Sequence, residues 1–346
     1  MVRRLPTVGA LMAIAVAMLA MGCGSDSDDS GGSTGSTAAA TQAAGGKTYT
    51  IGWVPPTVAP FEVAMRKGIQ LQAAEHGMKF AVAGGQFDPK VQITAVDALL
   101  TRGIDALAIA PLDEKSIRPA LDRAKAKNIP VLVLNAPDVG ADVNFVTPDA
   151  QATEEQAKYV AQKIGQPCNV AILGGLEVVP TLKARNEGYA KGAEESGCKV
   201  LSKQINTDDS SQKAGDITRT WKTQFGSDLK AIFASTDPSA IAASAALGGD
   251  FEPAITGMNG DADVIDAIKQ GRITSTQSYP APEIGNAMAF AAWELLNGKQ
   301  VPKTVTAPFS LVTADNVDDY KSYDDRTAAP MTVSFDGGVL KTQLGN

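Results

Sequence analysis

The sequence predicts an α/β protein made of two doubly wound halves, each a mainly parallel sheet covered by helices. From residue 48 onward, short apolar runs alternate with longer segments of helical periodicity. The runs are continuously aliphatic, as in "VLVLN" at 131–135, which is typical of parallel strands buried on both faces. The alternation restarts after residue 148, so the body contains two such halves.

The first half alternates four strands with three helices. Its strands are the runs "YTIGWV", "FAVAG", "DALAIA" and "VLVLN". The helices carry apolar residues three or four positions apart: Phe61, Met65 and Ile69; then Val91, Ala95, Ala98 and Leu99; then Ile117, Leu121 and Ala124. This spacing gives each helix one apolar face that can pack on a sheet.

The second half begins with a helix over 149–164. Its strands are "NVAIL", "KVLSKQI", "AIFAS", "AITGM" and "ITSTQSY". Helices are expected at 183–195, 210–225, from Asp237 onward, and at 261–270. A last long helix spans 282–296 and ends at "NGK". Residues 326–346 show no pattern that predicts a helix or a strand, so they are not assigned to either half.

The first 22 residues have the layout of a secretory signal peptide. Arg3 and Arg4 precede an apolar run from Val8 to Met21, which is shorter than the roughly 20 residues of a membrane-spanning helix. The segment "LAMGC" resembles a bacterial lipoprotein processing site, although Ala20 stands where leucine is usual. We therefore expect lipidation of Cys23. The alternative is an ordinary cleaved signal that leaves Cys23 as a free thiol.

Residues 23–46 are predicted to be a disordered linker behind that anchor. From Gly24 to Gly46 there is no aromatic residue and no aliphatic one larger than alanine, so nothing offsets the entropy cost of ordering. We expect the folded body to be exported and to stay at the outer face of the cytoplasmic membrane. The linker would join it to the lipid on Cys23, which inserts in that membrane. We expect the body to be a monomer.

Composition excludes several classes of function. The chain has a net charge of −7 and no block of lysine and arginine, which argues against a nucleic-acid partner. His76 is the only histidine, and it is expected at a solvated helix end before Gly77. No Gly-x-Ser-x-Gly motif is present, and "GGKT" at 45–48 lacks the first glycine of a phosphate loop. We therefore expect a protein without catalytic residues, metal or cofactor.

The remaining cysteines, Cys168 and Cys198, each stand just before a predicted strand. If those strands are parallel neighbours, about 4.8 Å apart, both cysteines lie at one sheet edge within reach of a disulfide. We predict a Cys168–Cys198 bridge, consistent with export. The alternative is a pair of buried free thiols.

The residues that follow the predicted strands should form the ligand site, because ligands bind beyond the carboxyl ends of strands in such sheets. These segments, which include 55–61, 135–138, 174–185 and 207–210, are rich in amides, hydroxyls and rings and poor in cations. Such walls suit a neutral polyhydroxylated molecule, whose apolar faces stack on rings and whose hydroxyls pair with fixed polar groups.

Four segments in order resemble the type I periplasmic sugar-binding proteins, and most closely their ribose- and galactose-receptor branch. They are "APFEVAMRKGIQLQAAEHGMKF", "QITAVDALLTRGIDALAIAPLD", "ARNEGYAKGAEESG" and "MNGDADVIDAIKQGRITSTQSYPAPEIG". The resemblance covers about Tyr49 to Leu311. It implies a receptor with two lobes and a three-crossing hinge, which closes on a sugar and delivers it to the permease of an ABC importer.

The resemblance also implies lobe boundaries. Hinge crossings are expected near 147–149, 278–280 and 308–311. The N-terminal lobe would contain residues 47–148 plus 280–308, and the C-terminal lobe residues 149–279 plus 309–325. Residues 326–346 are left as an uncertain tail.

Site residues follow from the same resemblance. Phe61 matches a ring that stacks on the sugar, Arg185 matches an arginine that grips ring oxygens and hydroxyls, and Asp237 follows a hydrogen-bonding position held here by Thr236. Other positions depart from the family: Asn135 and Ala136 replace an aspartate–arginine pair, Asn259 replaces an aspartate, and Tyr279 replaces a glutamine.

These departures point to a larger or less hydroxylated ligand, such as a deoxy-sugar, a polyol or a glycoside, because asparagine accepts fewer hydroxyl hydrogen bonds than aspartate does. Four of the candidates have plain structural alternatives. Arg185 could be a solvated arginine of its helix and Phe61 a core residue of its helix. Asp237 could be a helix N-cap, and Tyr279 a packed hinge residue.

Three other functions are compatible with parts of the sequence. A ligand-sensing receptor that partners a membrane signalling protein would have the same pocket chemistry. An exported enzyme is disfavoured by the single histidine. A lac-type repressor shares the core fold, but it would begin with a helix-turn-helix where this chain has a leader. The acidic charge of the chain also disfavours binding to DNA.

Overall fold

The structure is a computed structural model that describes residues 47–248, 251–327 and 331–344. The predicted signal peptide, the lipidation site at Cys23 and the predicted linker lie outside the described residues. Lys47–Asn346 forms one compact unit. Within its described residues, no helix has the length and apolar character needed to cross a membrane.

An eight-stranded sheet organises the first part of the chain. In chain order this part contains β1 (Thr50–Val54), α1 (Pro60–Glu75), β2 (Lys79–Val82), α2 (Pro89–Thr101), β3 (Ala106–Ile109), α3 (Glu114–Lys125), β4 (Val131–Leu134) and β5 (Val143–Val146). These strands are parallel and lie in the order β5-β4-β3-β1-β2. Strands β3 and β4 are buried throughout, as their aliphatic runs predict.

A six-stranded sheet organises the second part. In chain order its elements are α4 (Asp149–Ile164), β6 (Asn169–Gly174), α5 (Pro180–Glu195), β7 (Lys199–Ile205), α6 (Ser211–Phe225), β8 (Ala231–Ala234), α7 (Asp237–Leu247), β9 (Ala254–Asn259), α8 (Ala262–Lys269) and β10 (Ser275–Ser278). The strands lie in the order β10-β9-β8-β6-β7 and are parallel.

The rest of the chain is divided between the two sheets. It contains α9 (Ala281–Leu296), β11 (Thr304–Thr306), β12 (Ser310–Thr313), α10 (Tyr323–Arg326), β13 (Met331–Asp336) and β14 (Val339–Leu344). Strand β11 joins the first sheet beside β5, whereas β12 pairs antiparallel with β10 in the second sheet. We call the eight-stranded sheet with its helices the first lobe and the six-stranded sheet with its helices the second lobe.

The segment that the sequence left unassigned belongs to the first lobe. Strands β13 and β14 form an antiparallel hairpin, and β14 pairs with β11, which completes the order β13-β14-β11-β5. The chain passes between the sheets after β5, β10 and β11, and it returns once more between β12 and β13. This last passage is additional to the three expected.

Helices α1 and α9 cross at very short range on one face of the first sheet. A Cβ atom at Gly68 would lie 2.1 Å from the Pro282 carbonyl oxygen, and one at Gly285 would lie 2.1 Å from the Met65 carbonyl oxygen. Glycine is therefore required at both positions. At the end of α1, His76 is half-buried and stacks on Trp293 with ring centroids 4.2 Å apart, so it is less solvated than predicted. Burial lowers its pKa.

The predicted disulfide is present. Cys168 and Cys198 directly precede the parallel neighbours β6 and β7, and their Cα atoms are 4.5 Å apart. The bridge ties the edge strand β7 to the inner strand β6.

The β13–β14 hairpin should contribute to the stability of the first lobe, because Leu340 is buried in the main core cluster. We expect Leu340→Ala to lower the free energy of unfolding by about 2–5 kcal/mol, from lost burial and a residual cavity. Urea denaturation measures the change. The control is Thr332→Ala, at an exposed position of the same hairpin, which should change stability by less than about 1 kcal/mol. Equal small effects would mean that the hairpin does not pack as described.

Candidate functional site

A cavity lies between the two lobes, at the carboxyl ends of their parallel strands. The first lobe contributes Thr57, Ala59, Phe61, Glu62, Phe87 and Leu112 to its wall. The second lobe contributes Thr181, Leu182, Arg185, Asp209, Thr236 and Asn259. The empty space, including the open mouth, amounts to about 760 Å³.

A small apolar cluster closes one side of this cavity. Leu112 from the first lobe packs with Val179 and Leu182 from the second, and Phe87 and Leu176 lie against them. The lobes are therefore in direct contact around the cavity, and the structure represents a closed arrangement.

Arg185 is the best-anchored of the predicted site residues. Its side chain is buried, with 4% of the residue exposed. Its Nε donates to Asp149 Oδ1 at 2.7 Å, its Nη1 to the Ser235 carbonyl at 2.9 Å, and its Nη2 to Asn259 Oδ1 at 3.0 Å. Burial disfavours the charged guanidinium, but the nearby Asp149 carboxylate more than offsets this and the pKa of Arg185 is raised. The residue is a fixed cation on the cavity wall.

Asn135 lines the cavity, but its side chain is occupied by protein groups. Its Nδ2 lies 2.6 Å from Thr147 Oγ1, 2.9 Å from Thr181 Oγ1 and 3.2 Å from Asp149 Oδ2, and its Oδ1 accepts from the Thr147 amide. Thr181 belongs to the second lobe and Asn135 to the first. The amide therefore links the lobes directly.

Thr236 and Asn259 both reach the cavity wall. Thr236 is the N-cap of α7, where its Oγ1 accepts from the Ser239 amide at 3.3 Å. A capping role was the structural alternative for Asp237, but Asp237 is the first residue of the helix and not its N-cap. A cap leaves the hydroxyl hydrogen of Thr236 able to donate, and the Asp209 carboxylate lies close enough to accept it.

Asp237 and Tyr279 lie behind the wall. The Asp237 carboxylate accepts from the amides of Gly260 and Asp261 at 2.7 and 2.8 Å and from Thr276 Oγ1 at 2.8 Å, so it shapes the turn after β9. Burial raises its pKa. Tyr279 is fully buried, and its ring lies 5.7 Å from the Arg185 guanidinium carbon. Both residues support the wall from behind.

Phe61 is a core residue and also lines the cavity. It is 6% exposed and lines the cavity, and it also belongs to the core cluster that contains Met65 and Ile69. Its ring is therefore an apolar part of the wall held rigidly by the core.

Two acidic residues on the wall were not among the predicted site residues. Glu62 follows Phe61 at the start of α1, and its Oε2 accepts from Thr57 Oγ1 at 3.0 Å. Burial raises its pKa to about 7. Asp209 lies in the turn after β7, and burial raises its pKa to about 6. The segment 207–210 was expected at the site, but its carboxylate was not singled out.

Backbone strain is concentrated at this cavity. Five non-glycine residues in the described ranges have a positive φ, and four of them line the wall: Phe87 (52°), Asn135 (51°), Asp209 (53°) and Asn259 (126°). Such conformations cost free energy and persist only where the surrounding structure imposes them. Their grouping marks the cavity as the functional region of the molecule.

The side chains around the cavity are suited to binding rather than to metal chemistry. Within the described residues, no group of three or more His, Cys, Asp or Glu side chains is arranged to hold a metal ion. The wall combines two rings, hydroxyls, two amides, one paired guanidinium and two carboxylates. Such a wall can enclose a polar molecule and hold it by hydrogen bonds.

Two α/β lobes with a cavity between them are the architecture of a solute-binding protein. The family model for the periplasmic binding protein domain matches residues 51–300, and the chain belongs to this family. The predicted fold class and family are thereby confirmed.

Known relatives agree. The chain is 30% identical over 271 residues to the ribose import binding protein of Bacillus subtilis. The match covers 77% of this chain and 88% of that protein. It is 26% identical over 286 residues to the xylitol-binding protein of Mycolicibacterium smegmatis, covering 80% of each chain. Both relatives are named as binding proteins, and the first is named for ribose import, which agrees with the predicted class of protein.

A solved structure shows the same fold. An ABC transporter solute-binding protein from Burkholderia graminis, in complex with D-arabinose, matches with a TM-score of 0.75. The two chains are 22% identical, and the match covers 80% of this chain and 99% of that one.

The Arg185–Asp149 pair should be important for stability, because both side chains are almost fully buried. We expect Asp149→Asn to lower the free energy of unfolding by about 3–5 kcal/mol, since it leaves a buried charge without its partner. The control is Asp97→Asn, which breaks the exposed pair between Asp97 and Arg123 and should cost less than about 1 kcal/mol. Denaturant titration compares the two. A cost for Asp149→Asn as small as that of the control would contradict a buried pair.

The raised pKa of Glu62 predicts a pH-dependent stability of the unliganded protein. The folded-state pKa, about 7, lies above the ordinary value of 4.5. The stabilisation due to the bound proton is therefore complete at low pH and is lost as pH rises through about 7. Glu62→Gln should nearly match the wild-type melting temperature at about pH 4, below the ordinary value of 4.5, and exceed it at about pH 8.

Differential scanning calorimetry at both pH values measures this difference. Glu75→Gln, on an exposed position of α1, should show no such pH-dependent gap. If the Glu62→Gln gap is the same at both pH values, Glu62 titrates as an ordinary surface carboxyl.

Proposed function

We propose that the protein is an exported solute-binding protein that captures a sugar or polyol between its lobes and delivers it to the permease of an ABC importer. The observation that carries this proposal is the cavity itself, closed between two lobes whose strands point their carboxyl ends at it. Family membership and relatives named for ribose and xylitol support the same class of ligand.

The wall has the composition that a hydroxylated ligand requires. Phe61 and Phe87 offer apolar faces, while Arg185 and Thr236 offer donors and Asn259 an amide. In this proposal Phe61, Arg185, Thr236 and Asn259 contact the ligand. Rings cover the C–H faces of a sugar or polyol, and fixed polar groups pair with its hydroxyls.

Asn135, Asp237 and Tyr279 act through their neighbours. Asn135 joins the lobes at Thr181, Asp237 shapes the turn that carries Asn259, and Tyr279 backs Arg185. Their role is to fix the positions of the residues that touch the ligand.

The lobes proposed from the sequence are residues 47–148 plus 280–308 and residues 149–279 plus 309–325. The hairpin of β13 and β14 extends the first of them. We propose that these bodies open and close about the passages between the sheets, as hinge motion requires only a few connecting residues.

The attachment of the protein follows from its first residues. In this proposal residues 1–22 direct export and are removed, Cys23 carries the lipid, and residues 23–46 tether a monomeric body to the outer face of the cytoplasmic membrane. A single acyl chain binds membranes only weakly, so a stable anchor at Cys23 requires more than one acyl chain or a second membrane contact.

Ligand capture is tested by a thermal-shift screen over sugars and polyols, followed by small-angle X-ray scattering. A true ligand should raise the melting temperature, by the equivalent of about 2.7 kcal/mol at a hundredfold excess over its Kd. It should also reduce the radius of gyration if the free protein opens. A panel without a single stabilising compound, or a ligand recovered chemically altered, would contradict the proposal.

Arg185→Ala tests the assignment of the site. We expect ligand affinity to fall by about 2–3 kcal/mol, because buried hydroxyls lose a charged donor. Titration calorimetry measures the affinity, and circular dichroism checks that the variant is folded. Arg123→Ala, which removes an exposed arginine, should leave the affinity unchanged. A folded Arg185→Ala protein with wild-type affinity would remove Arg185 from the binding site.

A further inference from the structure

Two carboxylates on the cavity wall form no ion pair with any lysine or arginine of the part of the chain that the structure describes. Glu62 reaches the cavity from α1 of the first lobe, and Asp209 reaches it from the turn after β7 of the second. Glu62 accepts one hydrogen bond, from Thr57 Oγ1, and within the described ranges neither carboxylate lies within ion-pair distance of a lysine or arginine. A closed cleft therefore brings two acidic groups to the same small space from opposite sides.

The charges nearby do not neutralise this pair. Arg185 is the one cation on the wall among the described residues, and its Nε is already bound by Asp149. Arg66 is one turn further along α1 and forms no ion pair with Glu62 in the described structure. The remaining neighbours are acidic: Asp208 lies next to Asp209, and Asp261 is close enough to interact with Glu62.

The pKa values are consistent with this excess of negative charge. Burial raises the pKa of Glu62 to about 7, and the charge of Asp209 is one of the further causes. Burial also raises the pKa of Asp209 to about 6, with Asp208 adding to the rise and Arg185 opposing it. The two carboxylates are therefore near enough to interact, and each is less stable as an anion than it would be in water.

Arg185 gives an independent indication of what the cavity holds. A guanidinium has five N–H donors, and three of them are used, by Asp149, Ser235 and Asn259. The other two have no acceptor among the described residues, although the side chain is almost completely buried at the cavity wall. The occupant should therefore offer acceptor oxygens on the Arg185 side.

We infer that the cleft selects an amine-bearing sugar or polyol, with the protonated amine between Glu62 and Asp209 and hydroxyl oxygens at Arg185. This inference rests on the proposed function and narrows its ligand class. An ammonium group is a donor with three N–H bonds and a positive charge, which matches two acceptor-only carboxylates.

A neutral ligand would leave the two carboxylates enclosed without a counter-charge. One of them would then have to take up a proton on closure, since burying unpaired charge is costly. A metal ion fits less well, because two carboxylates fall short of the six to eight oxygen ligands that Ca²⁺ prefers. An organic cation needs no such coordination shell. The inference departs from the uncharged ligand expected from sequence because neither carboxylate was then identified as part of the wall.

The test compares matched pairs of compounds with the full-chain protein. Glucosamine is set against glucose, and glucamine (1-amino-1-deoxy-sorbitol) against sorbitol, with N-acetylglucosamine as an uncharged amine derivative. Galactosamine and galactose, and mannosamine and mannose, extend the series. Titration calorimetry should show at least one amine binding about 30-fold or more tightly than its hydroxyl counterpart.

Isosteric variants then assign the effect to the two carboxylates. Glu62→Gln and Asp209→Asn should each weaken the amine by about 10- to 100-fold and its neutral counterpart by a much smaller factor, since a hydroxyl can still donate to the amide oxygen whereas the charge-assisted bond is lost. Matched controls are Glu75→Gln on α1 and Asp216→Asn on α6, both at exposed positions. Melting temperatures confirm that all four variants fold.

The pH profile separates charge recognition from a structural role. The amine of glucamine stays protonated below about pH 8, so its affinity should rise from about pH 5 to about pH 7.5 as Glu62 and Asp209 lose their protons. The double variant Glu62→Gln, Asp209→Asn should show a flat profile. A profile unchanged by the double variant would overturn the assignment to these residues.

The outcomes distinguish this inference from the proposed function. If neutral sugars or polyols bind and none of the amines binds more tightly, the inference is wrong and the proposed function stands. If no member of the panel, neutral or cationic, binds at millimolar concentration, both are contradicted.

Discussion

The carboxylate of Asp149 is the contact on which the site depends. It is the first residue of α4, just after the chain first passes between the sheets. Its Oδ1 accepts from Arg185, and its Oδ2 accepts from Thr147 and from the amide of Asn135. One buried anion thus holds two residues of the first lobe and the main cation of the second. A buried charge is tolerated only with such complete pairing, so this geometry leaves little freedom around it.

The closed arrangement reflects a balance of opposing contacts. The apolar cluster around Leu112 and Leu182 favours contact between the lobes, because closing removes those side chains from water. The carboxylates of Glu62 and Asp209 oppose it, since closure brings two like-charged groups to the wall of one cavity. A ligand that neutralises the acidic pair would therefore shift the balance towards closure, which is how differential affinity selects one conformation.

Sequence reasoning recovered the features that depend on local pattern. The aliphatic runs identified the inner strands, and the position of Cys168 and Cys198 before two neighbouring strands identified their disulfide. It missed Glu62, because a glutamate near the start of a helix is usually a solvated residue that favours the helix dipole. Only the second lobe, folded over α1, turns that side chain into part of a cavity wall. The β13–β14 hairpin was missed for a related reason, since its pairing partner β11 lies far away in sequence.

The final passage between the lobes gives the C-terminal segment a role at the site. Tyr323 in α10 donates its hydroxyl hydrogen to the carbonyl of Asn259, and Arg326 pairs with Glu283 at the start of α9. Asn259 is therefore held through its carbonyl by α10 and through its side chain by Arg185, which accounts for its retained φ of 126°. Since α9 belongs to the first lobe and Asn259 to the second, α10 spans the hinge behind the cavity. When a hinge motion separates the lobes, α10 can move with only one of them, and its contact with the other lobe must break. The C-terminal segment therefore limits how the cleft can open.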